Sequence, residues 1–154
     1  MDIEPQSEEL HDIEAEQALL GALLYENRIL DQVDWLAPTD FFDPVHVRIF
    51  EHANHRIERG NRADAVTVFD EMREDEGLKD IGGATYLAIL VESAADIAAA
   101  PEYAKIVQDL SRRRNLVAFG SEIQVAARSG DETGETIIER AERDLAVLSD
   151  TESR

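Results

Sequence analysis

From Ile13 to Leu24 the chain places apolar residues on nearly every side of a helix, with Glu14, Glu16 and Gln17 confined to its opening turns. A helix of this kind is buried from several directions. The pattern predicts a first helix over about Glu14–Leu24 and a second from Asn27 to about Trp35 carrying Ile29, Leu30 and Val33, with Pro38 interrupting it. Asp43-Pro44 marks the next start: aspartate caps free backbone N–H groups, and proline suits the first turn, where its missing N–H costs nothing. The helix that follows carries His46, Ile49, Phe50, Ala53 and Ile57 on one face and is closed by Gly60. Asp64 caps a predicted helix over Val66–Glu76, which Gly77 ends, and Gly82-Gly83 precedes another that aligns Leu87, Leu90, Val91 and Ala94.

An alanine-rich stretch from Ser93 ends at Pro101. A long helix is predicted from there to Arg128, then a turn over Ser129–Gly134, then a last helix to Leu148. No alternating strand pattern occurs. The predicted class is all-α: a small helical globule over residues 14–97 followed by a helical hairpin over 98–150, between an acidic tail (1–13) and an unstructured end (151–154). Ile138, Ala141, Leu145 and Leu148 form a narrow stripe on the last helix, and Val107, Leu110 and Val117 supply apolar positions on the long one. Two helices cannot bury wide apolar faces between themselves, so this stripe predicts self-association through the hairpin.

Composition narrows the function. The net charge of −19 opposes autonomous binding to nucleic acid, whose phosphates need cations, and favours basic protein partners. The chain has no cysteine, which excludes disulfides and thiolate chemistry and fits a reducing cytoplasm. No apolar run reaches the length of about 18 residues that a membrane span needs. Met1–Asp12 carries five acidic residues and no Lys or Arg, unlike a secretory signal.

Four motifs, in this order, are Glu14-Ala15-Glu16-Gln17-Ala18-Leu19-Leu20-Gly21; Asp40-Phe41-Phe42 followed by His46 and Ile49-Phe50; Ile81-Gly82-Gly83-Ala84-Thr85-Tyr86-Leu87; and Tyr103-Ala104-Lys105-Ile106-Val107. In order and spacing they resemble the N-terminal domain of bacterial replicative DNA helicases, the DnaB family, over about Ile13–Leu148. That family more often has Phe-Tyr where this chain has Phe41-Phe42. The resemblance implies a helical globule plus a hairpin, with hairpins pairing between subunits into dimers, or into a hexamer as a trimer of dimers. It implies a non-catalytic, cytoplasmic collar domain that docks primase and, in some systems, a helicase loader. Glu135, Glu139, Glu142 and Asp144 on the last helix would offer that partner acidic groups. The motor's Gly-x-x-x-x-Gly-Lys-Ser/Thr loop does not occur in the sequence. The alternative reading is a stand-alone helical adaptor or inhibitor that copies this domain.

Other candidate chemistry is weak, so no catalytic, cofactor-binding or metal-binding residue is assigned. His52 and His55 lie three apart near Glu51 and Glu58, but a carboxylate–histidine metal site needs a second Glu-x-x-His, which is missing. His46 begins an apolar stripe and reads as a packed, hydrogen-bonded histidine with no nucleophile or partner carboxylate evident. Gly82-Gly83 lacks the lysine of a phosphate loop. Arg112-Arg113-Arg114 points in three directions on a helix, which suits ion pairing and stem packing better than one DNA-binding patch. Trp35 reads as core. Gly120, inside a helix, marks either a close approach of another helix or a tolerated kink.

Overall fold

A computed structural model describes residues 10–94 and 96–150, and every element among them is helical. Residues 1–9 and the end at 151–154 lie outside the described residues, and the tail expected over 1–13 is cut short by Asp12, which caps α1, and Ile13, which opens it. The helices are α1 (Ile13–Tyr25), α2 (Pro44–Glu58), α3 (Ala65–Glu71), α4 (Glu76–Asp80), α5 (Ala84–Glu92), α6 (Ala100–Ser129) and α7 (Gly134–Asp150). Short 3₁₀ turns occupy Asn27–Gln32, Pro38–Asp40 and Ile97–Ala99. No single helix among the described residues is long and apolar enough to cross a membrane.

The chain divides into a globule, residues 11–111, and a second unit containing Leu10 and residues 112–150. The predicted boundary at 97/98 falls earlier because the first turns of α6 belong to the globule. Ala100, Ala104, Val107 and Ser111 recur at helical spacing and are buried there, and Ser111 Oγ donates to Asp40 Oδ1 at 2.9 Å.

The cap signals act as the sequence suggests. Asp43 and Asp64 accept hydrogen bonds from the first-turn amides of Val45 and Thr67, and Asp12, which the sequence reading does not mark as a cap, does the same for Ala15. Gly60 adopts a positive φ of 79° just beyond α2, the left-handed conformation that glycine tolerates at a helix end. Two predicted helices are different. The helix predicted over Asn27–Trp35 is a 3₁₀ turn of six residues. The Asn27 side chain bonds backbone on both sides, donating to Leu23 O at the end of α1 and to the distant Ala63 O, and accepting from Ala63 N. Side chains that bond the backbone in this way compete with a regular helix. The helix predicted over Val66–Glu76 is broken into α3 and α4. Asp75 caps α4 through Leu78 N and also takes a two-point ion pair from Arg48, at 2.5 and 3.0 Å. Gly77 then lies inside α4, where a Cβ would stand 2.8 Å from Val45 Cγ2.

The core gathers Leu19, Leu20, Leu23 and Leu24 of α1, Ile49 and Phe50 of α2, Val68 and Met72 at α3, Leu78 of α4 and Leu87 of α5. Phe41 packs on Phe50 with ring centroids 5.0 Å apart. Trp35 is partly buried against this core, and its Nε1–H donates to Gln32 O.

Three carboxylates of the globule are held below their ordinary range. The Arg48 guanidinium lowers Asp75, a hydrogen bond from Thr67 N lowers Asp64, and Arg56 followed by His52 lowers Glu71. A depressed folded-state value adds stability above the ordinary value, and that stability is lost as the pH falls through the lower one. The ordinary values are 3.8 for the aspartates and 4.5 for Glu71. The urea midpoint is therefore expected to fall as the pH drops from about 5 toward 2. The Arg48→Met variant, unable to hold the Asp75 carboxylate, should show a shallower fall. Equal slopes would mean that this pair does not contribute.

Candidate protein-docking surface

The second unit is a two-helix hairpin built from the C-terminal half of α6, a turn at 130–133 and α7. Gly130 makes the turn with a φ of 76°, and Arg140 closes it by pairing with Glu132. The helices run antiparallel: α6 residues Phe119, Glu122 and Ile123 meet Ile137, Arg140, Ala141 and Asp144, and earlier α6 residues meet Val147 and Leu148. Ile137 is the one buried aliphatic side chain among the described residues of this unit. Leu116, Val117, Val125, Ile138, Leu145 and Val147 are all exposed. A pair of helices that buries so little while exposing so much aliphatic surface is marginal by itself.

The predicted interface residues separate into three groups. Val107 is 2 % exposed and belongs to the globule's core, so it is not available to a second chain, and Leu110 is half-buried in the same unit. Ala141 and Leu148 are half-buried on the inner side of α7, against α6. Val117, Ile138 and Leu145 are 54 %, 60 % and 47 % exposed. At about 100° per residue, Ile138 and Leu145 point the same way, roughly a quarter-turn from the inner face. Val117 points nearly opposite to α7, so it does not extend their stripe.

On α6 the matching side carries residues that the sequence reading passed over. Leu116, Gly120, Ile123 and Ala127 fall within about 60° of one another. Both helices are right-handed and antiparallel, so the flank reached by turning the same way from each inner face lies on one side of the hairpin. Leu116, Gly120 and Ala127 therefore share a face with Ile138 and Leu145, while Val125 and Val147 occupy the other. The sequence signal was present, because Leu116, Gly120, Ile123 and Ala127 have the spacing i, i+4, i+7, i+11. It needed the inner face to be known before it could be placed.

Of the four acidic positions, Glu135, Glu139 and Glu142 point away from α6 and are exposed. Asp144 is exposed as well, but on the side of α7 turned toward α6. It lines the groove against Phe119 and Glu122.

The globule holds a buried polar network that no single motif announced. His46 Nδ1 is 2.8 Å from Glu16 Oε1, and His46 Nε2 is 2.6 Å from Tyr86 Oη. Glu16 also accepts from the amides of Phe42, at 2.7 Å, and Asp43, at 3.3 Å. The partner carboxylate that seemed absent beside His46 is thus Glu16, 30 residues earlier. In the neutral ring, with Glu16 accepting at Nδ1, the proton sits there and Nε2 accepts a hydrogen bond from the Tyr86 hydroxyl. Burial pushes the Tyr86 phenol above its ordinary value, which keeps that proton in place. Gln17 Nε2 donates to the same oxygen at 3.2 Å. The network locks α1, α2, α5 and the loop at 41–43 together, and both His46 nitrogens find their partners within the fold. Elsewhere His52 pairs with Glu71 at 2.9 Å, and Arg114 Nη1 donates to Leu10 O. Gly82 and Gly83 have positive φ angles that carry the chain into α5.

Comparison with known proteins places the fold. The family of DnaB-like helicase N-terminal domains matches residues 8–109. The replicative DNA helicase DnaB of Geobacillus stearothermophilus is 34% identical over 149 residues, 96% of this chain and 32% of that protein. The DnaB of Rickettsia conorii is 34% identical over 113 residues, 73% of this chain and 23% of that protein. This chain thus spans about a quarter to a third of these curated relatives' length. The crystal structure of the N-terminal domain of DnaB helicase from Mycobacterium tuberculosis superposes with a TM-score of 0.79 at 34% identity, covering 88% of this chain and 97% of that one. A DnaB-like replicative helicase, described with its interactions with primase, superposes at 0.71 with 23% identity, covering 89% of this chain and 31% of that one, a likeness of fold.

Proposed function

The chain belongs to the family of DnaB-like helicase N-terminal domains, and from that premise we propose that it is the collar domain of a cytoplasmic replicative helicase, assembling subunits through its hairpin and docking primase. The ATPase motor is not in the matched region, and its phosphate-binding loop does not occur in the sequence, so the role is assembly and recognition. The observation that carries this reading is the hairpin itself: one buried aliphatic residue among the described ones, with Leu116, Ile138 and Leu145 exposed on one side. Burying one such residue contributes about 1.5–3 kcal/mol before the costs of association.

In this reading, hairpins pair first, as dimers or as dimers gathered into a hexamer. Glu135, Glu139 and Glu142 then present carboxylates to a basic partner, primase foremost and a helicase loader in some systems. Contacts between rim charges set association rate and partner choice more than affinity, so binding should weaken with salt. A surface composed of two hairpins exists only after they pair.

The test is Leu145→Glu. The side chain is half-exposed within one chain, so the globule should stay helical by circular dichroism. Self-association should weaken more than about tenfold in sedimentation at low micromolar concentration. Titrating the C-terminal region of the cognate primase then separates the steps. Equal binding to wild type and variant would refute the composite surface, and binding to neither would remove primase as the partner.

A further inference from the structure

Gly120 sits in the interior of α6, where glycine is less favourable than alanine by about 1 kcal/mol. Nothing among the described residues calls for it. Its φ is not positive, and a Cβ built there would meet no atom within 4 Å. Gly21, the other glycine well inside a long helix, is different: its Cβ would stand 2.1 Å from the Leu90 carbonyl oxygen, so that glycine admits a neighbouring helix. Gly120 is also placed on a particular side. Leu116, Ile123 and Ala127 flank it at helical spacing, on the face that also carries Ile138 and Leu145. That face is poor in charge, with Arg113 and Glu142 at its margins, whereas the outer side of α7 is acidic and would repel another copy of a chain carrying −19.

We propose that Gly120 is the point where α6 of a second copy of this chain crosses this one, backbone against backbone. The inference rests on the self-association reading and specifies its geometry. A two-fold pair puts the same patch of each copy on the other. With the axis near Gly120, Leu116 of one copy lies over the Ile123 region of its partner and the converse, and the absent Cβ lets the helices approach closely enough for these aliphatic side chains to interlock. Val107, Leu110 and Val117 have no part in it.

The proposal makes two effects of one substitution oppose each other. Gly120→Ala should leave the chain's unfolding midpoint at low concentration unchanged or raise it, since the site is open and alanine is the better helix former. The same change should weaken self-association by about tenfold, because a methyl group forced into a close crossing is overpacked. Gly120→Leu should weaken it further. Sedimentation velocity over a concentration series, with Leu145→Glu and the opposite-face Val125→Glu measured in parallel, decides the matter. The expected result is loss in Gly120→Ala, Gly120→Leu and Leu145→Glu and none in Val125→Glu. If Leu145→Glu dissociates the protein while Gly120→Ala and Gly120→Leu associate like the wild type, the crossing lies elsewhere and the self-association reading stands. If Val125→Glu is as damaging as Gly120→Ala, the effect is not specific to this face and the crossing is refuted. If the wild type does not associate, both the reading and the crossing fall.

Discussion

Replacing Glu16 by alanine is expected to lower the stability of the globule by about 3–5 kcal/mol, the cost of removing one partner from a buried, hydrogen-bonded pair. Glu16 is 1 % exposed and His46 is 0 % exposed. Without the carboxylate, the amides of Phe42 and Asp43 and the Nδ1–H of His46 lose their acceptor where water does not readily replace it. Glu16→Gln should cost clearly less, since its carbonyl oxygen can still accept from Phe42 N. Urea unfolding followed by far-ultraviolet circular dichroism measures both. An alanine variant within about 1 kcal/mol of wild type would mean that the network is solvated or replaceable. His46→Ala tests the same lock from the other side, and its loss should not add to that of Glu16→Ala, because the two residues act as one unit.

Gly21→Ala is expected to destabilise the protein by about 2–3 kcal/mol, although alanine is the better helix former. The added Cβ would lie 2.1 Å from Leu90 O and 2.9 Å from Leu90 C. Both are backbone atoms, so no side chain can swing aside, and α1 must move off α5. These helices form the most extensive helix pair in the globule, and Leu19, Leu20, Leu23 and Leu24 share a core with Leu87 and Leu90. Gly21→Val should be worse. The comparison with Gly120→Ala is direct: both are helix-interior glycines, yet one has a carbonyl at contact distance and the other has open space. Denaturant midpoints that shift the same way for both would show that helix propensity outweighs the close approach at Gly21.

Local features were legible in the sequence. The caps at Asp43 and Asp64 and the glycine after α2 act between neighbours in the chain, and the side chain that satisfies an amide is two or three residues away. The all-helical class and the extents of α1, α2 and α7 follow from apolar spacing for the same reason. Longer-range effects broke the reading. Asp75 divides one predicted helix because Arg48, 27 residues earlier, holds its carboxylate. Asn27 shortens another because Ala63, 36 residues later, takes both its donor and its acceptor. The boundary moved from 97/98 into α6 because Ala104, Val107 and Ser111 complete the globule's core.

The sequence by itself determined that this chain is helical, acidic, free of cysteine and built as a globule followed by a hairpin, because periodicity, charge and composition are properties of the chain order. It also carried the resemblance to DnaB N-terminal domains, since those motifs are linear. Only the tertiary structure decided which apolar residues are spent inside and which remain for another chain. Val107 and Ile138 are both aliphatic positions on helices, yet one is 2 % and the other 60 % exposed. The physical reason is that burial belongs to pairs of surfaces. A helix has a stripe, but which stripe faces inward depends on where the other helices lie, and the same dependence turned Glu16 from one acidic residue of a first turn into the acceptor that holds three elements together.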